Sequence, residues 1–409
     1  MAPAPLAKAR PKQLVFPLSL CHITVGRTAG GNIGMTRHIL FVTGTRADFG
    51  KLEPLALAAR DAGFRVGFFV TGMHMLREYG LTKLEVQRLK GIEVAEYLNQ
   101  RVGDPQDVIF AKTVTGFSDF IRNETPNLIV VHGDRVEAMA TALVAATNYI
   151  RCAHVEGGEV SGTIDEVFRH CNTKLAACHL VSSEAARARV LALGEAPETV
   201  HVIGSPELDS HDRPSGITLD AVRKRYEVPF DEYGIAIFHS VTSEVETIGQ
   251  QAQALFDALA ASGRNFVVIH PNNDPGSDAI MQVLRGLPRE RFRCLPSMRF
   301  SYFSELLRNA AVIVGNSSTG VREAPFLGIP SLDIGTRQTN RGSAPSLFSA
   351  RASDHAVISG FLQQEWGRRY PRDTRFGKGN AARAFVDILR GDALWSLPLQ
   401  KRFNDLPAG

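Results

Sequence analysis

Short apolar runs alternate along the chain with stretches in which apolar residues recur at helical spacing. The runs lack the polar alternation of half-exposed strands, and continuous apolarity is typical of parallel strands that helices cover on both faces. The strands predicted in this way span residues 38–43, 66–71, 128–132, 152–156, 179–182 and 200–204, and then 235–239, 266–270, 312–314 and 331–334. This strand–helix rhythm predicts an α/β protein built from doubly wound parallel sheets.

The predicted strands fall into two sets, separated by a polar stretch at residues 206–230 that contains proline and glycine and lacks a strong period. We interpret this stretch as the linker between two Rossmann-like domains, which span residues 35–208 and 209–385. A further helix and tail, residues 386–409, are expected to return to the first domain. In open α/β sheets ligands bind beyond the carboxyl ends of the strands, so a shared site is expected in the cleft between the domains.

Residues 1–34 differ from the rest of the chain in composition. The segment is rich in proline, alanine and glycine, and it carries four basic residues and no acidic one. It therefore accounts for the whole net charge of +4, and the remainder is formally neutral. We interpret it as a disordered extension, or as sequence upstream of a natural start at Met35. A secretory signal is the alternative, but Pro17 interrupts its apolar run.

The neutrality of residues 35–409 argues against a nucleic-acid-binding face, because such a face needs clustered basic residues. No apolar stretch is long enough for a membrane-spanning helix, so no membrane partner is expected. The five cysteines form no CxxC pair and are expected to be buried, reduced thiols of a cytoplasmic protein. Cys171 and Cys178 with their neighbouring histidines fit no zinc spacing, so no metal is expected.

An arginine follows the first predicted strand, in the loop GTRADFG. Arg46 lies where a helix should begin, beside free backbone N–H groups, and both features favour a bound phosphate or another anion. The structural alternative is an ion pair between Arg46 and Asp48.

Acidic residues and histidines gather after the next strand tips of the first half. Asp134 and Arg135 follow the third strand, and Glu156 ends the fourth, ahead of a glycine-rich stretch. Asp165 and His170 come next along the chain. Structural alternatives are a salt bridge between Asp134 and Arg135 and a capping role for Asp165. Their joint occurrence at neighbouring strand tips favours a functional site.

Polar loops also follow the strands of the second half. Their candidate side chains are His239, Asn272, Asp274, Ser317, Ser318, Glu323 and Arg337. Ser317 and Ser318 begin a helix after a strand, where N–H and O–H donors point one way and could cradle a diphosphate. Glu323 follows on that helix, and its carboxylate could accept from a ribose diol. The chain has neither GxxxxGK[ST] nor GxGxxG, which disfavours P-loop and dinucleotide sites.

Four motifs together resemble one enzyme family. GTRAD, VHGDR, HVEGGEVSGTIDEVFRH and GNSSTGVREAPFLGIPSLDIGTRQ are similar to the hydrolysing UDP-N-acetylglucosamine 2-epimerases of sialic acid biosynthesis, including the epimerase half of the animal bifunctional epimerase/kinase. The similarity runs in order from about Arg37 to Phe403. It implies a GT-B-like fold, with two Rossmann-like domains, the active site in the interdomain cleft and UDP bound mainly by the second domain.

The resemblance also implies roles for individual residues. It makes Asp134, Glu156 and Asp165 the catalytic acids and places His239 near the diphosphate. Nucleotide contacts are implied for Arg46, Ser317, Ser318, Glu323 and Arg337, with Asn272 and Asp274 on the uridine side. Arg135 and His170 complete the candidate substrate residues. No cofactor is implied, the kinase half is missing, and a homodimer or homotetramer is the expected assembly.

The implied reaction removes the C2 proton of UDP-N-acetylglucosamine, expels UDP from C1, and hydrates the resulting glycal to N-acetylmannosamine. We expect Asp134 and Glu156 to share the C2 proton transfers and Asp165 to assist elimination or hydration. Because clustered carboxylates repel one another, at least one is expected to keep a proton near neutral pH. The alternatives are the same chemistry on another UDP- or GDP-linked acetamido sugar, a GT-B glycosyltransferase, and a non-catalytic nucleotide-sugar sensor.

Overall fold

A computed structural model gives the architecture of the chain. It describes residues 36–160, 164–212, 216–272, 274–339 and 341–404. The predicted extension at residues 1–34 lies outside the described residues.

The first lobe is built on a seven-stranded parallel sheet. Its strands are β1 (His38–Thr43), β2 (Arg65–Val70), β3 (Glu93–Glu96), β4 (Leu128–His132), β5 (Arg151–Val155), β6 (Cys178–Val181) and β7 (Val200–Val202). Their order in the sheet is β3-β2-β1-β4-β5-β6-β7. The order reverses between β1 and β4, which is the switch point where an open α/β sheet binds its ligand.

The second lobe repeats this plan with six parallel strands. They are β8 (Gly234–Ile237), β9 (Phe266–Ile269), β10 (Phe292–Leu295), β11 (Ile313–Gly315), β12 (Ser331–Ile334) and β13 (Leu347–Ala350). The order is β10-β9-β8-β11-β12-β13, with the reversal between β8 and β11. Two doubly wound parallel sheets in one chain confirm the predicted GT-B-like α/β fold.

Helices connect the strands and cover both faces of each sheet. In the first lobe they are α1 (Arg46–Asp61), α2 (Lys83–Val86), α3 (Gln106–Asn123), α4 (Val136–Thr147), α5 (Ile164–Leu175) and α6 (Glu184–Ala192). Between the sheets and in the second lobe they are α7 (Glu207–Asp212), α8 (Leu219–Tyr226), α9 (Ile248–Ala261), α10 (Ser277–Arg285), α11 (Phe300–Arg308), α12 (Ser318–Val321), α13 (Glu323–Phe326) and α14 (His355–Gln364). The last two are α15 (Ala381–Arg390) and α16 (Asp392–Ser396).

Burial on both faces explains why the central strands are continuously apolar. In β1, Phe41 belongs to the core on one face of the sheet, whereas its neighbour Leu40 belongs to the core on the other. In β9, Phe266 and Val267 divide between two cores in the same way. Successive side chains of a strand point to opposite faces, so a strand covered on both sides has no solvent-facing position.

Three strands were not predicted, and all three lie at sheet edges. They are β3, β10 and β13. The residues of β3, EVAE, are all partly or fully exposed. An edge strand has a neighbour on one side only and keeps polar residues that blunt further pairing. A search for continuous apolar runs therefore misses it, whereas each predicted strand occurs within two residues of its predicted bounds.

The chain crosses between the lobes twice. The stretch interpreted as a linker contains two helices, α7 and α8. The second crossing precedes α15, whose Phe385 and Leu389 are buried in the core of the first lobe. The Asp209 carboxylate of α7 accepts hydrogen bonds from the backbone N–H of Ala381 at 2.8 Å and of Ala382 at 2.7 Å. The return to the first lobe thus begins at Ala381, five residues before the predicted bound at 386.

The cysteines in the described part of the chain are free thiols. Cys152 and Cys178 are buried in the first lobe, and burial raises the pKa of each to about 12. Cys171 and Cys294 are only partly buried, in contrast to the prediction. No helix in the described residues is long and apolar enough to cross a membrane.

Candidate active site

The carboxyl ends of the two sheets meet across a cleft, and a buried ion pair joins them there. Glu156 follows β5 of the first lobe, and Arg322 lies between α12 and α13 of the second. The Arg322 Nη1 is 2.8 Å from the Glu156 Oε1, and both residues are buried. The first lobe thus places a carboxylate against the helical turn that follows β11.

Glu156 lies at the centre of a cage of hydrogen-bond donors. Besides Arg322, the Lys51 Nζ donates to both carboxylate oxygens at 2.8 and 2.9 Å, and the Ser205 hydroxyl donates to Oε1. The His132 Nε2 is 3.2 Å from Oε2. Burial acts to raise the pKa of Glu156, but Arg322 and Lys51 outweigh it and hold the pKa well below its usual value.

The backbone at Glu156 is held in a conformation that side chains rarely adopt. Its φ is +61°, in the left-handed region that normally favours glycine. Two hydrogen bonds fix it: the Glu156 N–H donates to the Leu180 carbonyl at 2.9 Å, and the Arg169 guanidinium donates to the Glu156 carbonyl at 2.8 Å. Strain of this kind clusters at functional sites, where the surrounding structure enforces it.

Two further buried carboxylates share the cations of the cage. Glu207 of α7 is 2.8 Å from Lys51, and its Oε2 lies 2.6 Å from the Ser205 hydroxyl oxygen. Glu159 is 2.8 Å from the Arg322 Nη2. The interdomain segment therefore contributes directly to the charge balance around Glu156.

Asp134 is more accessible than Glu156. Its side chain, at the tip of β4, is 25% exposed and is held by the Arg169 guanidinium. The predicted alternative, a salt bridge to Arg135, is not found; the Arg135 Nε instead donates to the Glu137 Oε2 at 3.1 Å. Asp134 therefore keeps part of its carboxylate accessible to solvent.

Asp165 belongs to the first turn of α5 and is half-buried. Its charge stabilises two arginines, one from each lobe. Burial acts to lower the pKa of Arg135 but Glu137 and Asp48, with a smaller contribution from Asp165, raise it. At Arg337 burial dominates and lowers the pKa, while Asp274, Asp134 and Asp165 oppose it. Asp134 and Asp165 thus lie within electrostatic reach of an arginine of the second lobe.

Each carboxylate is therefore matched by nearby cations. At least one of the three acids is expected to keep a proton; Glu156 is not that acid, because Arg322 and Lys51 stabilise its ionised form. Of the remaining first-lobe candidates, His170 is 44% exposed and 4.0 Å from Glu166. It points to solvent rather than joining the cage.

His239 is held as a neutral imidazole at the tip of β8. Burial and the nearby Arg337 lower its pKa to about 3. Its Nδ1 accepts from the Asn272 backbone N–H at 3.1 Å, so Nε2 carries the proton and is a donor. The Asn316 side chain fixes the His239 backbone, accepting from its N–H at 2.7 Å and donating to its carbonyl at 2.8 Å.

The serine turn after β11 is held by a side-chain cap and by the loop that follows β12. Ser317 caps α12, and its side chain accepts from the Thr319 N–H at 3.4 Å. Arg337 and Gln338 both donate to the Asn316 carbonyl, at 3.2 and 2.9 Å, which ties the loop after β12 to this turn. Ser318 begins α12 directly after the cap.

A glycine allows this turn to approach β8. The φ of Gly315 is +137°, and an added Cβ would lie 1.9 Å from the Ile237 carbonyl oxygen. Any other residue would clash with backbone here, so the position of the serine turn depends on this glycine.

Glu323 is buried at the start of α13 and faces the interdomain helix. Its Oε1 is 3.4 Å from the Nε2 of His211 in α7. Burial acts to raise the pKa of Glu323, but His211 outweighs it, and the pKa is lowered. The carboxylate is therefore ionised and oriented as an acceptor.

The other second-lobe candidates are less enclosed, and Arg46 has an acidic partner. Asn272 is exposed, and its side-chain amide donates to the Asp274 carboxylate at 2.6 Å. The Arg46 Nη2 is 3.4 Å from Glu85. The alternative pairing with Asp48 is wrong, because the Asp48 carboxylate caps the start of α1 and contacts His132.

Comparison with known proteins places the chain in a family. The UDP-N-acetylglucosamine 2-epimerase family matches residues 56–390. The chain belongs to this family. A UDP-N-acetylglucosamine 2-epimerase of Neisseria meningitidis serogroup B is 39% identical over 374 residues, which cover 90% of this chain and 99% of the relative. A hydrolysing UDP-N,N′-diacetylbacillosamine 2-epimerase of Legionella pneumophila is 29% identical with the same coverage.

Solved structures agree on the fold of this 2-epimerase family member. The UDP-GlcNAc 2-epimerase of Neisseria meningitidis bound to UDP-GlcNAc has a TM-score of 0.71 at 19% identity and covers 86% of this chain and 99% of its own. The Methanocaldococcus jannaschii UDP-GlcNAc 2-epimerase in complex with UDP-GlcNAc and UDP has a TM-score of 0.72 at 17% identity, with the same coverage.

Several residues of the cage were missing from the sequence-based prediction, among them Lys51, Glu159, Ser205, Glu207 and Arg322. Lys51 follows the predicted Arg46 in α1, and Arg322 directly precedes the predicted Glu323. Their positions next to predicted residues are the signal that could have found them. Ser205 and Glu207 lie at the start of the stretch interpreted as a linker, where no local pattern marks them.

The described residues include no group of three or more histidine, cysteine, aspartate or glutamate side chains placed to hold a metal ion. The polar groups of the cleft are instead arranged as cation–carboxylate contacts. This arrangement can bind an anionic ligand through the second lobe and present ionised acids from the first.

Proposed function

We propose that this family member is a hydrolysing 2-epimerase, which converts UDP-N-acetylglucosamine and water to N-acetylmannosamine and UDP, the first step towards sialic acid. The observation that carries the proposal is the meeting of Glu156 with Arg322, beside the serine turn of the second lobe. It sets acidic groups of one lobe next to a candidate diphosphate site of the other. Relatives named as hydrolysing support the hydrolytic reaction.

The second lobe is proposed to bind the nucleotide. Ser317 and Ser318 with their backbone N–H groups, together with Arg337, hold the diphosphate. The neutral His239 donates from Nε2, and Glu323 accepts from the ribose hydroxyls. Arg46 reaches the phosphates from the first lobe, and Asn272 and Asp274 flank the uridine.

Elimination then begins with the C2 proton of the sugar. Asp134 is the proposed acceptor, because its carboxylate contacts Arg169 and is still 25% exposed. The C2–H electron pair forms the C1–C2 double bond, and the C1–O bond breaks toward the diphosphate. Arg337 and His239 stabilise the charge that develops on the departing UDP.

Hydration completes the reaction. Water adds to C1 of the glycal and loses one proton, while Glu156 returns a proton to C2 on the opposite face. Asp165 assists by orienting the sugar or the water. Since Glu156 is enclosed by hydrogen-bond donors, it must receive the proton that it delivers from a neighbouring group.

Residues 35–208, together with the part of the chain that returns from Ala381, are proposed as the catalytic domain, and residues 209–380 as the nucleotide-binding domain. The proposed enzyme acts in the cytoplasm as a homodimer or homotetramer. It uses neither metal nor cofactor, because arginines, His239 and backbone N–H groups carry the phosphate charge.

The test is NMR of the products formed from UDP-N-acetylglucosamine in D₂O. The expected products are free N-acetylmannosamine, deuterated at C2, and UDP. UDP-N-acetylmannosamine as the product would refute hydrolysis, and an unchanged substrate would refute the function. A glycosyltransferase would release no N-acetylmannosamine from the donor alone.

A second candidate substrate is a UDP-linked diacetamido sugar. It is supported by the Legionella relative, which aligns with 90% of this chain. Offering UDP-N,N′-diacetylbacillosamine in the same assay decides between the two, since the preferred substrate has the higher kcat/KM.

A further inference from the structure

A histidine links two buried carboxylates in the first lobe. The His132 Nδ1 is 3.1 Å from the Asp48 Oδ1, and its Nε2 is 3.2 Å from the Glu156 Oε2. All three residues are buried. The row Asp48–His132–Glu156 crosses the switch point of the sheet, from α1 through the tip of β4 to the tip of β5.

The first contact fixes the imidazole. The other oxygen of Asp48 accepts from the backbone N–H groups of Thr45 at 3.1 Å and Gly44 at 3.4 Å. A carboxylate that accepts two backbone hydrogen bonds is an ionised acceptor, so His132 donates to it from Nδ1. The ring orientation and the proton at Nδ1 are therefore set by the start of α1.

The second contact requires one more proton. Nε2 and the carboxylate oxygen are both acceptors when unprotonated, so they form a hydrogen bond only if a proton lies between them. That proton is bonded either to Nε2 of His132 or to Oε2 of Glu156. The pair consequently has one exchangeable proton at a distance that permits direct transfer.

We propose that His132 is a positioning residue that holds the proton exchanged by Glu156, with Asp48 orienting its ring. The inference rests on the proposed function, in which Glu156 returns a proton to C2. In that step the Nε2–H bond breaks, an Oε2–H bond forms, and the proton passes on to C2. His132 is left neutral, and the proton released by the water that attacks C1 restores it.

The charges around His132 place the proton on the imidazole before the reaction. Asp48 faces it from α1, Glu156 from the tip of β5 and His154 from β5 itself, while Lys51 and Arg322 act through Glu156. Burial acts to lower the pKa of His132, but Asp48 and Glu156 outweigh it and raise the pKa. The pKa of His154 is well below its usual value because of burial, so this neighbour adds no charge.

The Lys51 ammonium also contacts Glu156, but it differs from His132 as a proton source. An imidazolium releases its proton near neutral pH far more readily than an ammonium does. Lys51 is further shared with Glu207, which fixes it as a counter-ion. His132 is thus the better-matched donor among the groups that touch Glu156.

The experiment compares pH profiles of UDP release and of N-acetylmannosamine formation for three variants. His132→Gln keeps a hydrogen-bonding side chain but cannot titrate, Asp48→Asn keeps an acceptor for the ring but removes its charge, and His201→Gln is the matched control. His201 is a half-buried histidine of β7, outside the cage. Circular dichroism and calorimetric UDP binding verify the fold of each variant.

In the wild type, kcat should fall as pH rises, because the donor must be protonated. His132→Gln should reduce N-acetylmannosamine formation by about 10²-fold, release UDP without matching sugar product, and lose the alkaline limb. Asp48→Asn should move that limb to lower pH, since loss of the charge lowers the pKa of His132. His201→Gln should reproduce the wild-type profile.

An unchanged alkaline limb in His132→Gln would overturn the inference. An alkaline limb at the wild-type pH in Asp48→Asn would overturn it too, and this second variant decides the question if His132→Gln does not fold. These results are distinguishable from failure of the proposed function. If the wild type forms no N-acetylmannosamine, the function is wrong, whereas an active wild type with an unaltered variant profile rejects only the role of His132.

Discussion

Arg322→Met should destabilise the protein strongly, because Arg322 compensates three buried carboxylates. Its guanidinium lies 2.8 Å from Glu156, 2.8 Å from Glu159 and 3.6 Å from Glu207. Removing one partner of a buried ion pair leaves an uncompensated charge and costs about 3–5 kcal/mol. Lys51 remains as a counter-ion for two of the three, so the free energy of unfolding should fall by the lower part of this range.

The interaction can be isolated with a double-mutant cycle. Glu156→Gln removes one of the charges that Arg322 compensates, so it should cost less in the Arg322→Met background than in the wild type. We expect a coupling free energy of about 1–3 kcal/mol. Urea unfolding followed by tryptophan fluorescence is the assay, because Trp366 packs on the second sheet and Trp395 on the first-lobe core.

The pH dependence of stability provides a separate check. The folded-state pKa of Glu156 is depressed, so its contribution is present above the pKa of the unfolded chain and is lost as pH falls through the folded value. Arg322→Met should raise that folded pKa, so the loss should be smaller and should end at a higher pH. Additive single and double mutants, within about 0.5 kcal/mol, would refute the reasoning.

Three further predictions concern other parts of the cleft. Asp134→Asn should lower kcat by about 10²–10⁴-fold with UDP affinity unchanged by calorimetry, and near-normal turnover would reject Asp134 as the acceptor. Gly315→Ala should cost more than about 3 kcal/mol in urea unfolding, because its Cβ would lie 1.9 Å from the Ile237 carbonyl oxygen. The control Gly63→Ala, also at positive φ but with open space around it, should cost only about 1 kcal/mol, and equal losses would contradict the steric argument. The pKa of His239 is about 3 instead of 6.5, so the unfolded chain binds more protons between these values and stability is lost as pH falls through this range. His239→Asn should flatten this part of the stability profile, and an unchanged slope would show that His239 is not its source.

The central strands could be predicted from the sequence because burial on both faces requires a continuous run of apolar residues. In β4 every residue is buried, and the run LIVVH is apolar up to its last position. In β3 none is fully buried, and its pairing with β2 depends on residues more than twenty positions away. An edge strand of this kind forms because it pairs with a strand that is distant in sequence, and a local residue pattern does not contain that information.

The residues of the candidate site also differ in whether a local sequence pattern predicts them. Asp134, Glu156 and Ser317 could be predicted because they directly follow buried strands, and sheet topology brings such positions together. Glu207 could not, because its place beside Lys51 depends on how the interdomain segment folds over α1. Which of the acids is ionised could not be predicted, since the sequence reveals a cluster of like charges but not the buried cations that offset it at Glu156.

The return of α15 to the first lobe affects the order in which the protein is synthesised and folded. Phe385 and Leu389 complete a core that also contains Phe41 and Leu52, from the beginning of the described chain. A ribosome therefore exposes the whole second lobe before it releases the residues that close the first. The first lobe is therefore translated first but completes its folding last. A protein truncated before Ala381 would lose the fold of the first lobe rather than that of the second.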